Sequence, residues 1–513
     1  MKEKEIREIL NKKAFPHKIK YLKLKETYIS WLIFTGNFVY KIKKPVKFGY
    51  LDFSSIKKRR FFCEKELILN KRLASEIYLG VVPIVKEDGF FKILNTFKTS
   101  SRKTVDYALK MKEIPEEYYL PNLLKNKKFD SKKIKEIAKV VASFHQGADI
   151  SPKKYGFEMV KFNWRENFEQ TKPFLKRILQ KPLFDFIKKE VERYLRENRE
   201  LFLKRIKEGK IRDGHGDLHS GNIFVTPKKV YIIDCIEFNE RFRHQDIASD
   251  IAFFLMNLEY LRKENLAKEF LKEYLSISKD ETLLRILPFY KCYRAFIRGK
   301  VGCFSLPKAN LLSIQRYFGL AFNYAFQFSQ KKPFLIVIGG QIGTGKSYLA
   351  KSLKRTILAK VLNSDVIRKK MFGIPLFDHK KEVKKIYTQK VSIKVYQKMI
   401  ERGINLIKKG KLVILDATFA RKIYHQMLIE KVKKEKIPFL FVECWASPEK
   451  ILKRLKERGK KKEVSDATPL IYLKLKDRYE RINLPSKNYL FLNREKENIS
   501  SEIEKTLKKI LRY

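Results

Sequence analysis

Apolar residues recur with two periods along this chain, and the changes between them divide it. After a charged, amphipathic stretch and a polar link over residues 1–25, Trp31-Leu-Ile-Phe34 and Phe38-Val-Tyr-Lys-Ile-Lys43 flank Thr35-Gly36-Asn37. Two apolar runs around a short Gly/Asn turn predict a β-hairpin. A helix is expected over about 55–74, with Ser54 or Ser55 as N-cap, then strands over 80–86 and 90–95. From about 103 to 210 the pattern reads as helical, with segments at 134–144, 157–164, 174–186 and 191–207; further helices are expected over 247–260, 263–275 and 283–301. Ser329-Gln-Lys-Lys-Pro333 is polar and ends in proline, which suits a linker. Beyond it, short apolar runs at 334–338, 359–363, 413–418 and 439–445 alternate with helical segments, the pattern of a parallel sheet with crossover helices. Two domains are therefore expected: an α+β domain over 1–328, with a small β-rich lobe and a helical lobe, and an α/β domain over 334–513.

Composition narrows the setting. The chain has 513 residues and 44% hydrophobic content, enough for more than one buried core. No run reaches the ~18–20 apolar residues of a membrane span. The charged start has no apolar leader segment, and the five cysteines, Cys63, Cys235, Cys292, Cys303 and Cys444, form no C-x-x-C pair. That argues against a disulfide framework or a zinc site, and a cytoplasmic protein is expected. The net charge of +57 has two readings. One is a polyanionic partner, nucleic acid or a phosphorylated metabolite. The other is bias: lysine is spread evenly and glycine is sparse, as in AT-rich genomes or heat-adapted proteins. Bias is the preferred reading.

The densest motif lies at the start of the second domain. Phe334-Leu-Ile-Val-Ile-Gly-Gly-Gln-Ile-Gly-Thr-Gly-Lys-Ser347 fits G-x-x-x-x-G-K-[ST] through Gly340, Gly345, Lys346 and Ser347. A buried strand ending in glycines lets backbone N–H groups, at Gly340, Gly343, Thr344 and Gly345, close around phosphate oxygens. The following helix adds its positive end, Lys346 reaches the β/γ-phosphates, and the Ser347 hydroxyl meets Mg²⁺. Asp365, after the 359–363 strand, is placed to accept a proton from a substrate hydroxyl, or to cap a helix together with Ser364; Arg368, one turn on, is placed to grip a substrate anion or polar head. Asp416 closes another core strand as a Mg²⁺-sphere acid. Arg454 and Arg458, four apart on a helix, with Lys460–Lys462 and Ser465-Asp466-Ala467 beyond, read as a lid that carries guanidinium groups to the transferring phosphoryl group, or as an exposed basic helix.

A second motif lies at Arg212-Asp-Gly-His-Gly-Asp-Leu-His-Ser-Gly-Asn-Ile-Phe-Val225, followed by Val230-Tyr-Ile-Ile-Asp234. Asp217 stands five residues before Asn222, a kinase catalytic-loop spacing, and Asp234 ends a strand where a metal-binding acid belongs. His215 and His219 have H-x-x-x-H spacing, but the glycines break the helix that such a metal pair needs. In the hairpin, Lys41 shares a strand face with Val39, the presentation of a phosphate-binding lysine, and is preferred to Lys43. On the 55–74 helix, Glu64 and Glu66 are candidate partners, with Glu66 preferred. Tyr293, Arg294, Arg298 and Lys300 recur at helical spacing, as an anionic pocket or a basic face.

His-Gly-Asp-Leu-His-Ser-Gly-Asn with Ile-Ile-Asp resembles the aminoglycoside phosphotransferase and choline kinase family, over about residues 31–327. The resemblance implies a protein-kinase-like fold, Asp217 as catalytic base, Asn222 and Asp234 as metal ligands, Lys41 with Glu66 as the phosphate-binding pair, and Asp246 and Asp250 as anchors of the large lobe. The chain departs from the family in lacking a glycine-rich loop in the small lobe, where only Gly36 is found. Gly-Thr-Gly-Lys-Ser, Ser-Asp-x-x-Arg and Leu-Asp-Ala-Thr resemble small P-loop kinases such as gluconate kinase, zeta-toxin-like kinases and the kinase domain of bacteriophage polynucleotide kinase. The expected function is ATP- and Mg²⁺-dependent phosphoryl transfer to a hydroxyl of a small molecule, a sugar or sugar acid, with two nucleotide sites and no membrane partner. The alternatives are a polynucleotide 5′-hydroxyl kinase, with nucleic acid as partner, and a metabolite-sensing regulator that hydrolyses ATP.

Overall fold

The computed structural model describes residues 1–95, 104–126, 129–306, 310–378, 386–458, 464–495 and 498–512. By packing, the chain forms two compact units. One joins residues 1–163 to 198–294, and the other joins 164–197 to 295–513.

The first unit opens with helix α1 (Glu3–Ile9) and strands β1 (Lys23–Glu26), β2 (Ser30–Phe34) and β3 (Phe38–Lys43). The expected hairpin is β2–β3, with Gly36 at φ 88° in its turn. A short pair, β4 (Lys47–Phe48) and β5 (Leu51–Asp52), leads to α2 (Ile56–Ala74), which the Ser55 hydroxyl caps by accepting from the Lys58 amide. Then come β6 (Tyr78–Glu87), β7 (Phe90–Ile93) and β8 (Thr104–Lys112). They form one antiparallel sheet, ordered β1-β2-β3-β8-β6-β7. One face packs on α1 and Phe15 through Ile33, Tyr40, Ile42 and Ile84; the other carries Val39, Leu109 and Met111 toward Cys63 on α2. The strand β8 corrects the expectation of helix from residue 103. Its alternation is hidden because an inward position holds Asp106, buried and neutralised by Arg59 at 2.9 Å and the Met1 amino group at 2.6 Å. The β1 edge strand, mostly exposed, also carries no apolar signal.

Next come α3 (Leu120–Lys125), α4 (Ser131–Gly147), α5 (Phe157–Thr171), α6 (Lys181–Glu197) and α7 (Arg199–Lys207). The helix expected over 174–186 instead starts at Lys181 with Pro182 in its first turn, where a proline lacks no needed donor. Two antiparallel pairs follow: β9 (Ile211–Asp213) with β12 (His244–Asp246), and β10 (Ile223–Val225) with β11 (Val230–Ile232). Helices α8 (Ile247–Tyr260), α9 (Glu264–Ser278) and α10 (Leu283–Phe304) complete the lobe. Asp246 caps α8 and takes a two-pronged contact from the fully buried Arg205, which also reaches Asp280 at 2.8 Å and Thr282 at 2.6 Å. Each donor edge of that guanidinium is matched, as a buried cation requires.

The second unit contains α6, the later parts of α5 and α10, and α11 (Leu311–Phe328). It continues through β13 (Leu335–Gly339), α12 (Lys346–Ile357), β14 (Lys360–Asn363), α13 (Ser364–Met371), α14 (Gln389–Lys408), β15 (Val413–Asp416), α15 (Lys422–Lys434), β16 (Phe439–Trp445), α16 (Pro448–Arg458), α17 (Pro469–Leu475), β17 (Tyr489–Asn493) and α18 (Ile499–Ile510). The sheet is parallel throughout, ordered β14-β15-β13-β16-β17. Its central strands are apolar on both faces, as a sheet covered on both sides demands. Helix α11 lies directly on α12: Asn323 donates to the Ile357 carbonyl at 2.7 Å, and a Cβ on Gly319 would come within 3.0 Å of the Thr356 carbonyl. Among the described residues, no helix is long and apolar enough to cross a membrane.

Candidate active sites

In the second unit the turn after β13 is shaped by glycine. Gly340, Gly343 and Gly345 have φ values of 130°, 81° and 89°, left-handed backbone that favours glycine. A Cβ on Gly340 would fall 2.2 Å from the Cys444 carbonyl oxygen. Lys346 donates to the Gln341 carbonyl at 2.6 Å, and the Thr344 hydroxyl to the same oxygen at 2.8 Å, so both fold back over the loop. Ser347 is exposed at the first turn of α12. Asp416, buried at the end of β15, stands level with Ile338 on β13 and Asn363 on β14.

Asn363 is the residue the sequence did not single out. Its amide nitrogen donates to Asp416 at 2.8 Å, and its oxygen accepts from the Asp365 and Val366 amides at 3.0 and 3.1 Å. It is therefore the N-cap of α13, and neither Ser364 nor Asp365 is. The Asp365 carboxylate is left for other work. Burial pushes its pKa up, the Ser465 hydroxyl and Arg368 hold it down, and Asp416 and Asp466 add to the rise. Arg368 is 5% exposed. Its Nη1 donates to the Ile386 carbonyl at 2.8 Å and lies 3.3 Å from the Ser392 hydroxyl, and its plane sits 4.6 Å from the Tyr387 ring centre. Its Nε has no hydrogen-bond partner among the described residues. Next to it, Lys369 is fully buried and donates to the Leu376 and Asp378 carbonyls and to Asp466 at 3.0 Å.

Arg454 reaches the phosphate loop from α16, with Nη1 3.4 Å from the Thr344 carbonyl; burial and the neighbouring Arg494 push its pKa down. The Arg458 side chain and residues 459–463 of the expected lid lie outside the described residues. Arg494, just past β17, was also not foreseen. It donates to the Gly345 carbonyl at 2.8 Å and pairs with the buried Glu502 at 2.9 Å, bracing the loop from behind.

In the first unit the loop between β9 and β10 holds Asp217. Its carboxylate accepts from Asn222 at 3.1 Å, and the His219 Nε2 lies 3.4 Å away. His215 accepts from the Asp217 amide through Nδ1 and so donates to the Ile233 carbonyl through Nε2; burial, which pushes its pKa down, keeps that ring neutral. His219 accepts from the Gly221 amide through Nδ1. With His215 spent on both nitrogens, the histidine pair is structural rather than metal-binding. Gly216, at φ 83°, lets its amide and that of His215 reach the two oxygens of Asp250 at 3.0 and 2.7 Å. Asp250 keeps a lowered pKa despite burial because His145 and Arg294 face it. Arg294 also donates to the Gly216 carbonyl at 2.8 Å and to Ser249, so this arginine braces the loop and does not line an anion pocket.

Lys41, Glu66 and Asp234 are brought together: the Lys41 ammonium lies 2.7 Å from Glu66 and 2.6 Å from Asp234. Lys43, two residues on along the same strand face, reaches the other oxygen of Glu66 at 2.7 Å and pairs with Glu237. Burial alone would lower the pKa of Lys41; Asp234, Glu66 and Glu237 together raise it well above its ordinary value. Glu64 points elsewhere and pairs with Arg60. The turn between β1 and β2, Thr27-Tyr28-Ile29, contains no glycine.

Comparison with known proteins matches two segments of the chain to family models. Residues 99–287 match a family model described as "Phosphotransferase enzyme family", and residues 335–482 match one described as "AAA domain". An uncharacterized protein of Mycobacterium tuberculosis (strain ATCC 25618 / H37Rv) is 28% identical over 411 residues, 78% of each chain. Among solved structures, the choline kinase of Cryptosporidium parvum Iowa II is similar at 14% identity over 64% of this chain and 95% of that one, with a TM-score of 0.39. A gluconokinase from Sinorhizobium meliloti 1021 is similar at 16% identity over 36% of this chain and 94% of that one, with a TM-score of 0.26. The chain thus joins a segment that matches a phosphotransferase enzyme family to a P-loop segment that matches an AAA domain, which supports a phosphotransferase enzyme.

Proposed function

We propose that the chain moves the γ-phosphoryl group of ATP to a hydroxyl of a small acidic polyol, a sugar acid being the best fit, and that the P-loop unit is the principal site. The reading is carried by α13: Asn363 does the capping, which leaves Asp365 for chemistry, and Arg368 one turn on is buried with its Nε unpartnered among the described residues. Asp365 accepts the proton of the attacking hydroxyl, a role for which a raised pKa improves the driving force. The Nε side of Arg368, stacked and anchored through Nη1, offers a fixed fork to a carboxylate. The glycine loop and Lys346 hold the β/γ-phosphates, and Arg454 supplies positive charge to the group in flight.

Mg²⁺ suits the donors. Ser347 and Asp416 offer oxygens only, and a hard cation that keeps waters and takes one or two carboxylates plus phosphate oxygens fits such a pair. The ion, when bound, offsets charge on the phosphates. The first unit supports a second transfer on the same logic, with Asp217 as base, Lys41 and Glu66 for the phosphates, and Asn222 and Asp234 as oxygen donors for Mg²⁺. The Asn222 amide nitrogen is spent on Asp217, which leaves its carbonyl oxygen for the ion.

A metabolite-pool screen with labelled ATP tests the proposal on the intact chain, Lys346→Ala and Asp217→Ala. Loss of all product in Lys346→Ala alone assigns transfer to the P-loop unit. Loss of a different product in each variant makes the chain bifunctional. ATP consumption by the intact chain without a labelled product would overturn the reading.

A further inference from the structure

The ion pairs around Lys41 extend further than phosphate binding needs. Asp234, Lys41, Glu66, Lys43 and Glu237 form one chain of alternating charge, in which each ammonium touches two carboxylates and Glu66 touches both lysines. Glu66 and Lys43 are essentially inaccessible, at 0% and 1% exposure. Lys43 also lies over the Phe53 ring, 4.7 Å from its centre, and cannot reach a ligand. Its task lies within the protein.

That task follows from the segment Asp234-Cys-Ile-Glu237. Asp234 has φ 64°, a strained conformation for a residue with a Cβ, which persists only when the surroundings over-determine it. Each residue of the segment is tied. The Asp234 amide donates to the Tyr78 hydroxyl at 3.1 Å, the Cys235 amide to Asn70 at 2.8 Å, and the Ile236 amide to the His215 carbonyl at 3.1 Å; Glu237 holds Lys43. Three of these ties are single hydrogen bonds from the backbone, and Arg243 and Arg72 add one each, to the Ile236 carbonyl at 3.0 Å and to the Cys235 sulfur at 3.3 Å. Only the Glu237–Lys43 tie joins two buried, opposite charges. Lys41 grips the Asp234 side chain directly, but this lysine, held by Glu66, also has to meet the phosphates when a nucleotide binds, and its hold on Asp234 then weakens. Lys43 stays on both Glu66 and Glu237.

We infer that Lys43 and Glu237 are positioning residues that hold the Asp234 loop in its metal-binding conformation once Lys41 meets the nucleotide. The inference rests on the reading of Asp234 as a magnesium ligand. Partners one step behind a metal ligand commonly contribute about 10–100-fold to metal affinity.

The test is nucleotide binding by the full chain carrying Lys346→Ala, which silences the P-loop, measured calorimetrically with ATP in Mg²⁺ and in EDTA. Lys43→Met and the isosteric Glu237→Gln are added to that background. The expected result is metal-free affinity within about twofold of the reference, because Lys41 and Glu66 remain, and a Mg²⁺-dependent gain reduced about 10-fold or more. Glu237→Gln keeps volume and a hydrogen-bond acceptor, so it reports even if Lys43→Met does not fold. Equal loss with and without Mg²⁺ would make the pair merely structural and overturn the inference. An unchanged Mg²⁺ gain would overturn it too, while leaving the nucleotide site standing. Absence of any Mg²⁺-dependent gain in the reference protein would overturn both the inference and the reading of Asp234 beneath it.

Discussion

Arg368→Met is expected to leave the fold nearly as stable as before and to cripple acceptor binding, whereas Arg205→Met, an equally buried change, unfolds readily. The magnitudes follow from what each guanidinium touches. Arg205 meets Asp246 through two bonds of 2.7 Å and Asp280 at 2.8 Å. Removing one partner of such a buried network costs about 3–5 kcal/mol, which lowers the melting temperature of a unit of this size by about 6–20 °C. Arg368 makes one good charged hydrogen bond, to the Ile386 carbonyl, and stacks on Tyr387. These are worth about 1.5–3 kcal/mol and about 0.5–2 kcal/mol. Against them stands the cost of keeping a cation out of water with no carboxylate hydrogen-bonded to it among the described residues, several kcal/mol, offset in part by the nearby Asp365. The balance is about zero within 1–2 kcal/mol, so Tm shifts by less than about 8 °C. If the cation is kept for an anionic group, truncation costs binding about 2–5 kcal/mol, a KM rise of about 30-fold or more at tenfold per 1.4 kcal/mol. Calorimetric unfolding of the full chain and acceptor KM in the labelled-ATP assay measure both. Destabilisation equal to that of Arg205→Met, with KM unchanged, would show that Arg368 serves the fold alone.

Gly340→Ala should abolish nucleotide binding at the P-loop, since its Cβ would meet the Cys444 carbonyl at 2.2 Å; calorimetry with an ATP analogue in a Lys41→Ala background, which removes the phosphate lysine of the first unit, reads this. Asp365 has a raised pKa, so as a base it loses activity on acidification at a pH above the ordinary carboxylate range. Ser465→Ala, which removes a group that holds the pKa down, should move that acid limb of kcat/KM higher still; a limb that stays put or moves lower refutes the assignment. The same shift has a stability sign: a carboxylate whose folded pKa is raised weakens the fold above its unfolded pKa. Asp365→Asn should therefore raise Tm at neutral pH and not at pH 3, while abolishing transfer. Asp250→Ala removes the carboxylate that takes the His215 and Gly216 amides and should cost about 3–5 kcal/mol, seen as an earlier unfolding transition, with loss of any Asp217-dependent product.

Much of the fold was legible because its strongest signals are local. The β13 run, the glycine turn and α12 announce themselves through period, φ > 0 residues and helix start in one stretch of chain. The β2–β3 hairpin and α2 with its Ser55 cap are equally local. What stayed hidden depends on distant partners. β8 was read as helix because Asp106 occupies an inward position, and only Arg59 and the chain's first amino group make that tolerable. Lys43 looked like the lesser of two lysines on one strand face; its weight comes from Glu237, 194 residues away. Asn363 and Arg494 carry no motif at all, and their roles exist only where strands β14 and β17 deliver them beside the phosphate loop.

The seating of α11 on α12 bears on how this chain can be divided. The helix that begins at Lys346 has its far end closed by Asn323, and Gly319 is small so that the two backbones can touch. A truncation that starts at the polar stretch 329–333 would strip off that cover, expose the apolar back of α12 and leave the Ile357 carbonyl without its donor. Expressed that way, the P-loop segment is expected to aggregate. A fragment retaining 295–513 still lacks α6, whose Phe186 packs on Phe322 of α11 at 5.1 Å. Gene fission or domain shuffling at the obvious sequence seam would therefore be selected against, because the second unit is threaded from residues 164–197 as well as 295–513.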